Sequence, residues 1–206
     1  MRIVFFCSFL LFTVVARAQF TKGDVSLGGT LSTSIQNGVI VDTDYKQSSF
    51  SLLPRVGILM SGKFALGGQL GFSYGNQQYG TDTGDYISKS YFAGIFGEQF
   101  FTISDKVLFS LVGSLSYSRS KNSTPYFNIL TGQIEVEEDK AYQFRLAVEP
   151  SFLFFPSPHW SVGVGLGSLN YTFGHSVTDD SSSNNFSMNY GSFLVSATYY
   201  FRRNTE

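Results

Sequence analysis

The feature that most constrains this chain is a two-residue alternation that recurs from about residue 23 almost to the end. Successive side chains on a strand point to opposite faces, so a period of two demands strands with two unlike surroundings. Phe64, Leu66, Leu70, Phe72 and Tyr74 fall on one face, with Gly68 among them, while Ala65, Gly67, Gln69, Gly71 and Ser73 fall on the other. Val107, Phe109, Leu111, Leu115 and Tyr117 alternate with Ser110, Ser114, Ser116 and Ser118 in the same way. Eight such segments can be drawn, at 23–36, 47–60, 64–75, 88–102, 107–120, 139–155, 160–174 and 186–201. Most exceed the roughly 5–6 residues of a globular strand and match the ~9–11 of a tilted strand crossing a bilayer.

The connections alternate as well. Ser61-Gly62-Lys63, Ser104-Asp105-Lys106 and Pro156–His159 read as tight turns. Asn37–Lys46, Asn76–Tyr86, Asn122–Glu138 and Ser176–Asn185 read as longer polar loops. Membrane barrels of the outer-membrane kind have short periplasmic turns and long external loops. An even strand number then puts both termini on the periplasmic side.

Composition decides what each face meets. Only 14% of the chain is charged against 17% aromatic, where a soluble domain carries about 25% charged residues. The polar face is Gly, Ser, Thr and Gln rather than Lys and Glu, which suits a narrow lumen better than a water-facing surface. The expected fold is therefore all-β, an eight-stranded antiparallel up-and-down transmembrane β-barrel. A soluble, lipocalin-like binder is the distant alternative. A net charge of −1 and the lack of a basic run argue against nucleic acid.

The first 18 residues read as an export leader. Met1-Arg2 is a positive start, Ile3–Val15 is almost wholly apolar, and Ala16-Arg17-Ala18 fits a cleavage site. Cleavage after Ala18 would remove Cys7, leaving a mature chain without cysteine and so without disulfides. The expected organisation is a leader at 1–18 and one barrel domain at 19–206.

The stretches Phe50-Ser-Leu-Leu-Pro54-Arg-Val-Gly57, Phe64-Ala-Leu-Gly-Gly-Gln-Leu-Gly71-Phe-Ser-Tyr74 and Ala197-Thr-Tyr-Tyr-Phe201 carry a resemblance. Over residues 19–201 the chain resembles the outer-membrane β-barrel family of many Bacteroidota, related to the small OmpA/OmpX-type barrels. The resemblance implies an outer-membrane location and insertion by the barrel assembly machinery. Such barrels end on an aromatic residue that this machinery reads. Here Arg202-Arg203-Asn204-Thr205-Glu206 follows Phe201, and Ser196 stands where the terminal signal tends to have Gly.

Charges within strands are few. Arg or Lys on the lipid face costs about 2–4 kcal/mol at the midplane, so Arg55, Glu98, Arg145 and Glu149 are assigned to the lumen. Counting from the turns sets Arg55, Gln69, Glu98 and Glu149 at one level, with Arg145 above. The expectation is a neutral two-Arg, two-Glu network plugging a lumen barely wide enough for side chains. Lys89, Arg119 and Lys121 share the outward parity near the external ends of their strands. A hairpin centred near residue 104 would set Lys89 beside Arg119. Such a patch could meet lipopolysaccharide phosphates or simply snorkel at the interface.

No metal, cofactor or catalytic set is expected. The loop acids Asp42, Asp44, Asp82, Asp85, Glu135, Glu137, Glu138, Asp139, Asp179 and Asp180 match no calcium loop. His175 and Ser176 are neighbours on one strand and would point to opposite faces, a poor base and nucleophile. Gly163, Gly165 and Gly167 read as alternating lumen positions. Three functions stay open in order of preference: a structural or loop-mediated interaction barrel, a narrow porin-like channel, and a lipid-modifying enzyme. A monomer is expected, with no external partner identified.

Overall fold

The computed structural model describes residues 20–40, 43–79, 84–178 and 180–203. The expected leader, its expected cleavage position and the loop residues Asp42, Asp82 and Asp179 lie outside the described residues.

Eight strands follow one another: β1 (Val25–Ile40), β2 (Thr43–Ser61), β3 (Phe64–Tyr79), β4 (Asp85–Thr102), β5 (Val107–Asn128), β6 (Gln133–Ser157), β7 (Trp160–Ser176) and β8 (Ser181–Phe201). Each pairs antiparallel with the next, and β8 returns to β1 to close the barrel. Val25 pairs with both Ile58 and Phe201, so the chain enters and leaves at the end that carries the short turns.

The strands outrun their expected bounds where the sequence reads as loop. β5 and β6 stay in register up to Asn128↔Gln133, through most of the segment expected to be a loop at Asn122–Glu138. Polar cross-strand bonds replace apolar alternation there. Tyr126 donates to Glu135 at 2.8 Å and Asn128 donates to the same carboxylate at 2.7 Å. On β3–β4, Asn76 and Gln78 both donate to Asp85. Asn, Asp and Ser carry a turn signal only until a partner strand supplies their hydrogen bonds.

The outward face is apolar all the way round. Leu31, Leu70, Ile95, Leu115, Leu146 and Leu169 are exposed on six different strands. A water-soluble monomer rarely exposes contiguous apolar patches above a few hundred Å², whereas a bilayer solvates such a belt. The wall is that of a membrane-spanning barrel.

Inside, small residues make room for a few large ones. A Cβ on Gly71 would lie 1.7 Å from the ring of Phe92, its rung partner, so that ring lies flat over β3. This settles β4, whose aromatics alternate ambiguously in the sequence. Phe92 and Phe96 line the interior, while Tyr91, Ile95 and Phe101 are exposed. The expected regular alternation of Gly163, Gly165 and Gly167 is corrected. Gly165–Gly167 of β7 spans Leu194–Tyr190 of β8, and Gly167 takes φ +135°, a bulge conformation that L side chains rarely adopt.

The turn end is closed by an apolar floor of Phe20, Leu59, Ala65, Phe100, Leu108, Leu153, Phe155 and Tyr200. Phe20 comes from the segment before β1. Its ring centre lies 4.7 Å from Phe100, 4.9 Å from Tyr200 and 5.7 Å from Phe155.

Candidate functional site

Strand parity aims Arg55, Gln69, Arg145 and Glu149 at a lumen cavity of about 430 Å³. Arg55 Nη2 lies 3.4 Å from Glu149, and Arg145 Nη2 lies 3.5 Å from the other oxygen of the same carboxylate. Arg145 Nε also donates to Asn170 Oδ1 at 2.9 Å. Gln69 is the rung partner of Arg55. The Arg55 guanidinium sits 5.5 Å from the centre of the Phe96 ring.

Glu98 stands on the rung of Glu149, joined to it through Val112. It shares that rung with Ala65 too, and lines a second cavity of about 70 Å³ nearer the floor, with Arg55, Ser26 and Tyr200. Rungs run across strands that tilt by about 35–45°. Counting residues back from separate turns therefore fixes height only loosely. The ion pairs line the wall of the cavity rather than fill it, and the closure at the turn end is aromatic.

Sequence reasoning missed several residues of this interior. Asn170 is buried and bonded to Arg145, but its parity is legible only once the β7 bulge is known. Asp24 is wholly buried. It accepts from the backbone of Thr21 at 3.0 Å and of Arg203 at 2.9 Å, and Arg202 Nη1 lies 3.4 Å away. Arg202 also donates to the Pro158 carbonyl from Nε at 3.0 Å and stacks over Phe20 at 5.1 Å. The tail beyond Phe201, an anomaly in the sequence, thus begins as a clamp under the barrel.

On the outer wall Lys89, Arg119 and Lys121 are all exposed. The β4–β5 turn is centred one residue later than expected. Lys89 therefore pairs with Lys121 rather than neighbouring Arg119, which pairs with Tyr91. Lys121 pairs in turn with Lys140, so three lysines stand in one rung across β4, β5 and β6. Lys121 Nζ meets Glu138 at 2.6 Å, and this contact holds the Glu138 carboxyl below its usual range. Arg119 stacks 5.7 Å over Tyr142.

His175 shares a 3.1 Å hydrogen bond with Ser182, its rung partner, while Ser176 donates to Asp139 at 3.3 Å. Asp180 lies 3.8 Å from the other ring nitrogen of His175, but its side chain is 98% exposed. A pair so wet is worth about 0–1 kcal/mol and orients a ring weakly. Among the described residues no group of three His, Cys, Asp or Glu side chains is placed to hold a metal.

No model of a known protein family matches this chain, and no curated protein matches it. Solved structures do. Ail, the attachment invasion locus protein of Yersinia pestis, in complex with the heparin analogue sucrose octasulfate, is 19% identical. It covers 88% of this chain and 100% of its own, at a TM-score of 0.46. The N-terminal β-barrel domain of Pseudomonas aeruginosa OprF is 10% identical, with 88% and 100% covered and a TM-score of 0.34. The β domain of the Bordetella autotransporter BrkA is 11% identical, with 89% and 100% covered and a TM-score of 0.39.

Proposed function

We propose that this protein is a monomeric integral barrel of a Gram-negative outer membrane, with both termini in the periplasm, that acts by presenting its β5–β6 hairpin to a partner outside the cell. The hairpin tip carries the reading. Ile129 and Leu130 are 86% and 97% exposed. The last rung of β5 with β4 is Ser123↔Ile87, and the last of β6 with β7 is Ala141↔Ser176. Five further β5–β6 rungs, Thr124↔Glu137 to Asn128↔Gln133, pair with neither neighbour. At about 3.4 Å per residue they reach roughly 17 Å beyond the last rung shared with β4.

A two-stranded ribbon is marginal alone in water. Here Glu135 draws Tyr126, Asn128 and Thr131 together, at 2.8, 2.7 and 3.1 Å. That stiffening holds an apolar tip in water, which has a cost unless a partner covers it. Lower on the same strands, the Lys89–Lys121–Lys140 rung supports a seat for lipopolysaccharide phosphates, with Arg119 beneath it. Like charges directly opposite destabilise a sheet, and bound anions would relieve that. The aromatic floor weighs against a porin-like channel, and the exposure of Asp180 weighs against a lipid hydrolase.

The test is made on intact cells. A photo-crosslinking residue at position 129 should yield an adduct that is lost in Phe127→Ser/Leu130→Ser, and added protease should cut the hairpin. A hairpin resistant to external protease, or crosslinks no different from those at Lys63 in a short turn, would overturn the reading.

A further inference from the structure

The barrel closes unevenly. β5 and β6 share 22 rungs and β1 and β2 share 16. β1 and β8 share five, from Val25↔Phe201 to Gly29↔Ala197. Among the described residues no β1–β8 rung forms above Gly29 and Ala197. The strands nevertheless run on, β1 to Ile40 and β8 back to Ser181.

The unpaired stretch begins within the apolar belt. Leu31 and Ile35 on β1, and Val195, Tyr190 and Met188 on β8, are all exposed. Open sheet edges do not persist against hydrocarbon, because their amides and carbonyls find no partner there; they persist where they line a cavity. That is what stands behind this seam. Thr30 and Ser32 from one edge and Leu194 and Ser196 from the other all line the 430 Å³ cavity. Its volume falls in the range of about 300–1,000 Å³ typical of small-molecule sites.

The rest of the lining offers both apolar and charged contacts. Phe92, Leu53 and Val112 stand in it beside Arg55, Arg145 and Glu149. Arg55 also lines the smaller cavity that holds Glu98. Arg55 Nε and Gln69 Oε1 are buried without a hydrogen-bond partner, and Gln69 is only 8% exposed. Buried polar atoms in native proteins are nearly always satisfied. A half-turn of the Gln69 amide would put its NH2 where Oε1 now lies, giving two unmet donors aimed at one place.

We propose that the β1–β8 seam is a lateral portal and the cavity a binding site for one single-chain anionic amphiphile. Its carboxylate or phosphate meets Arg55 and Gln69, and its acyl chain passes Phe92 and leaves between Leu31 and Val195. A fatty acid and a lysophospholipid share this chemistry. Both lips of the seam alternate residues that face lipid, Leu31 and Val195, with residues that face the cavity, Thr30, Ser32, Leu194 and Ser196.

The barrel is folded in a maltoside detergent and incubated with oleate, lysophosphatidylglycerol or uncharged monoolein, and intact complexes are weighed by native mass spectrometry. One equivalent of oleate, of lysophosphatidylglycerol or of both is expected, and which of them is retained identifies the source of the headgroup. Monoolein should bind at least about ten-fold less, the loss expected for one charge-assisted hydrogen bond. Arg55→Gln and Gln69→Leu should each cost about the same factor. Ser32→Trp should abolish binding by filling the cavity, and Lys63→Gln in a distant turn should leave it unchanged. A heat-dependent gel shift reports folding of each variant, and Q69L alone carries the test if R55Q fails to fold. Oleate with a diazirine at its methyl end should label Leu31 or Val195. Equal binding of monoolein, unchanged binding by folded Q69L, or no adduct at all would overturn the site. Labelling confined to Ser118 and Gln143, at the upper mouth, would overturn the portal.

Discussion

Asp24 and Arg202 meet at 3.4 Å beneath the barrel, one residue before β1 begins and one residue after β8 ends. The Asp24 carboxylate is wholly buried and also accepts from the Arg203 backbone. The contact therefore ties the chain's two ends together at the five-rung seam, where the ladder itself is shortest. A buried ion with several donors is costly to leave unpaired.

Asp24→Ala is expected to destabilise the barrel by about 3 kcal/mol, the scale of breaking a buried charged pair. The measurement is the urea midpoint of unfolding in detergent micelles. Truncation after Phe201 should lower the midpoint in the same direction, because it removes Arg202 and Arg203 together. An unchanged midpoint in both would remove the clamp from the account.

Phe20→Ala should cost about 3 kcal/mol, since it leaves a void among Phe100, Phe155 and Tyr200. The floor these rings form also predicts that the unaltered protein shows no stepwise conductance in a planar bilayer. A resolved unitary current would contradict the sealed end.

The hairpin tip should lose order in acid. Hydrogen bonds from Tyr126, then Asn128 and Thr131, hold the Glu135 carboxyl below its ordinary 4.5. A depressed carboxylate contributes stability that is present above the unfolded value and is lost as pH falls through the folded value. The hairpin should therefore hold its structure at neutral pH and loosen below about 4.5. The same contact raises the Tyr126 hydroxyl above 10.0, so its share is lost only as pH climbs past that value. NMR resonances of the Asn128 side chain would follow the acid transition, and Glu135→Gln should abolish it.

Replacing Lys89, Lys121 and Lys140 together by Gln should reduce co-purifying lipopolysaccharide about ten-fold, with each charge-assisted bond worth about 1.5 kcal/mol or more. Phosphate assay of the purified barrel checks it. In the absence of lipopolysaccharide the triple variant should be no less stable than the parent, because it removes three like charges from one rung. Retention of full lipid content would leave only snorkelling for these side chains.

Legibility followed the range of the physics involved. The parity of Arg55, Lys89, Arg119, Lys121, Arg145 and Glu149 follows from period-two counting within single strands, a local property. The Arg55–Gln69 rung was legible because one tight turn sets it. Glu98 and Glu149 share a rung through Val112, and counting back from two tight turns brought them to one level. The extension of β5 and β6 was hidden because Ser, Asn and Thr look like loop until a partner strand answers them. The clamp on Asp24 was hidden because its donors stand 178 and 179 residues away.

The amino-acid sequence by itself determined that this chain forms eight strands with an apolar and a small-polar face, joined by short turns at one end. Side-chain alternation and turn chemistry are local, and each is written in a few consecutive residues. Only the tertiary structure decided that the lumen keeps a cavity, that its floor is aromatic, and that the seam between β1 and β8 is five rungs long. Those depend on closing the sheet into a ring, where shear and bulges set which distant residues share a height. No stretch of sequence encodes that sum; it appears when the first strand meets the last.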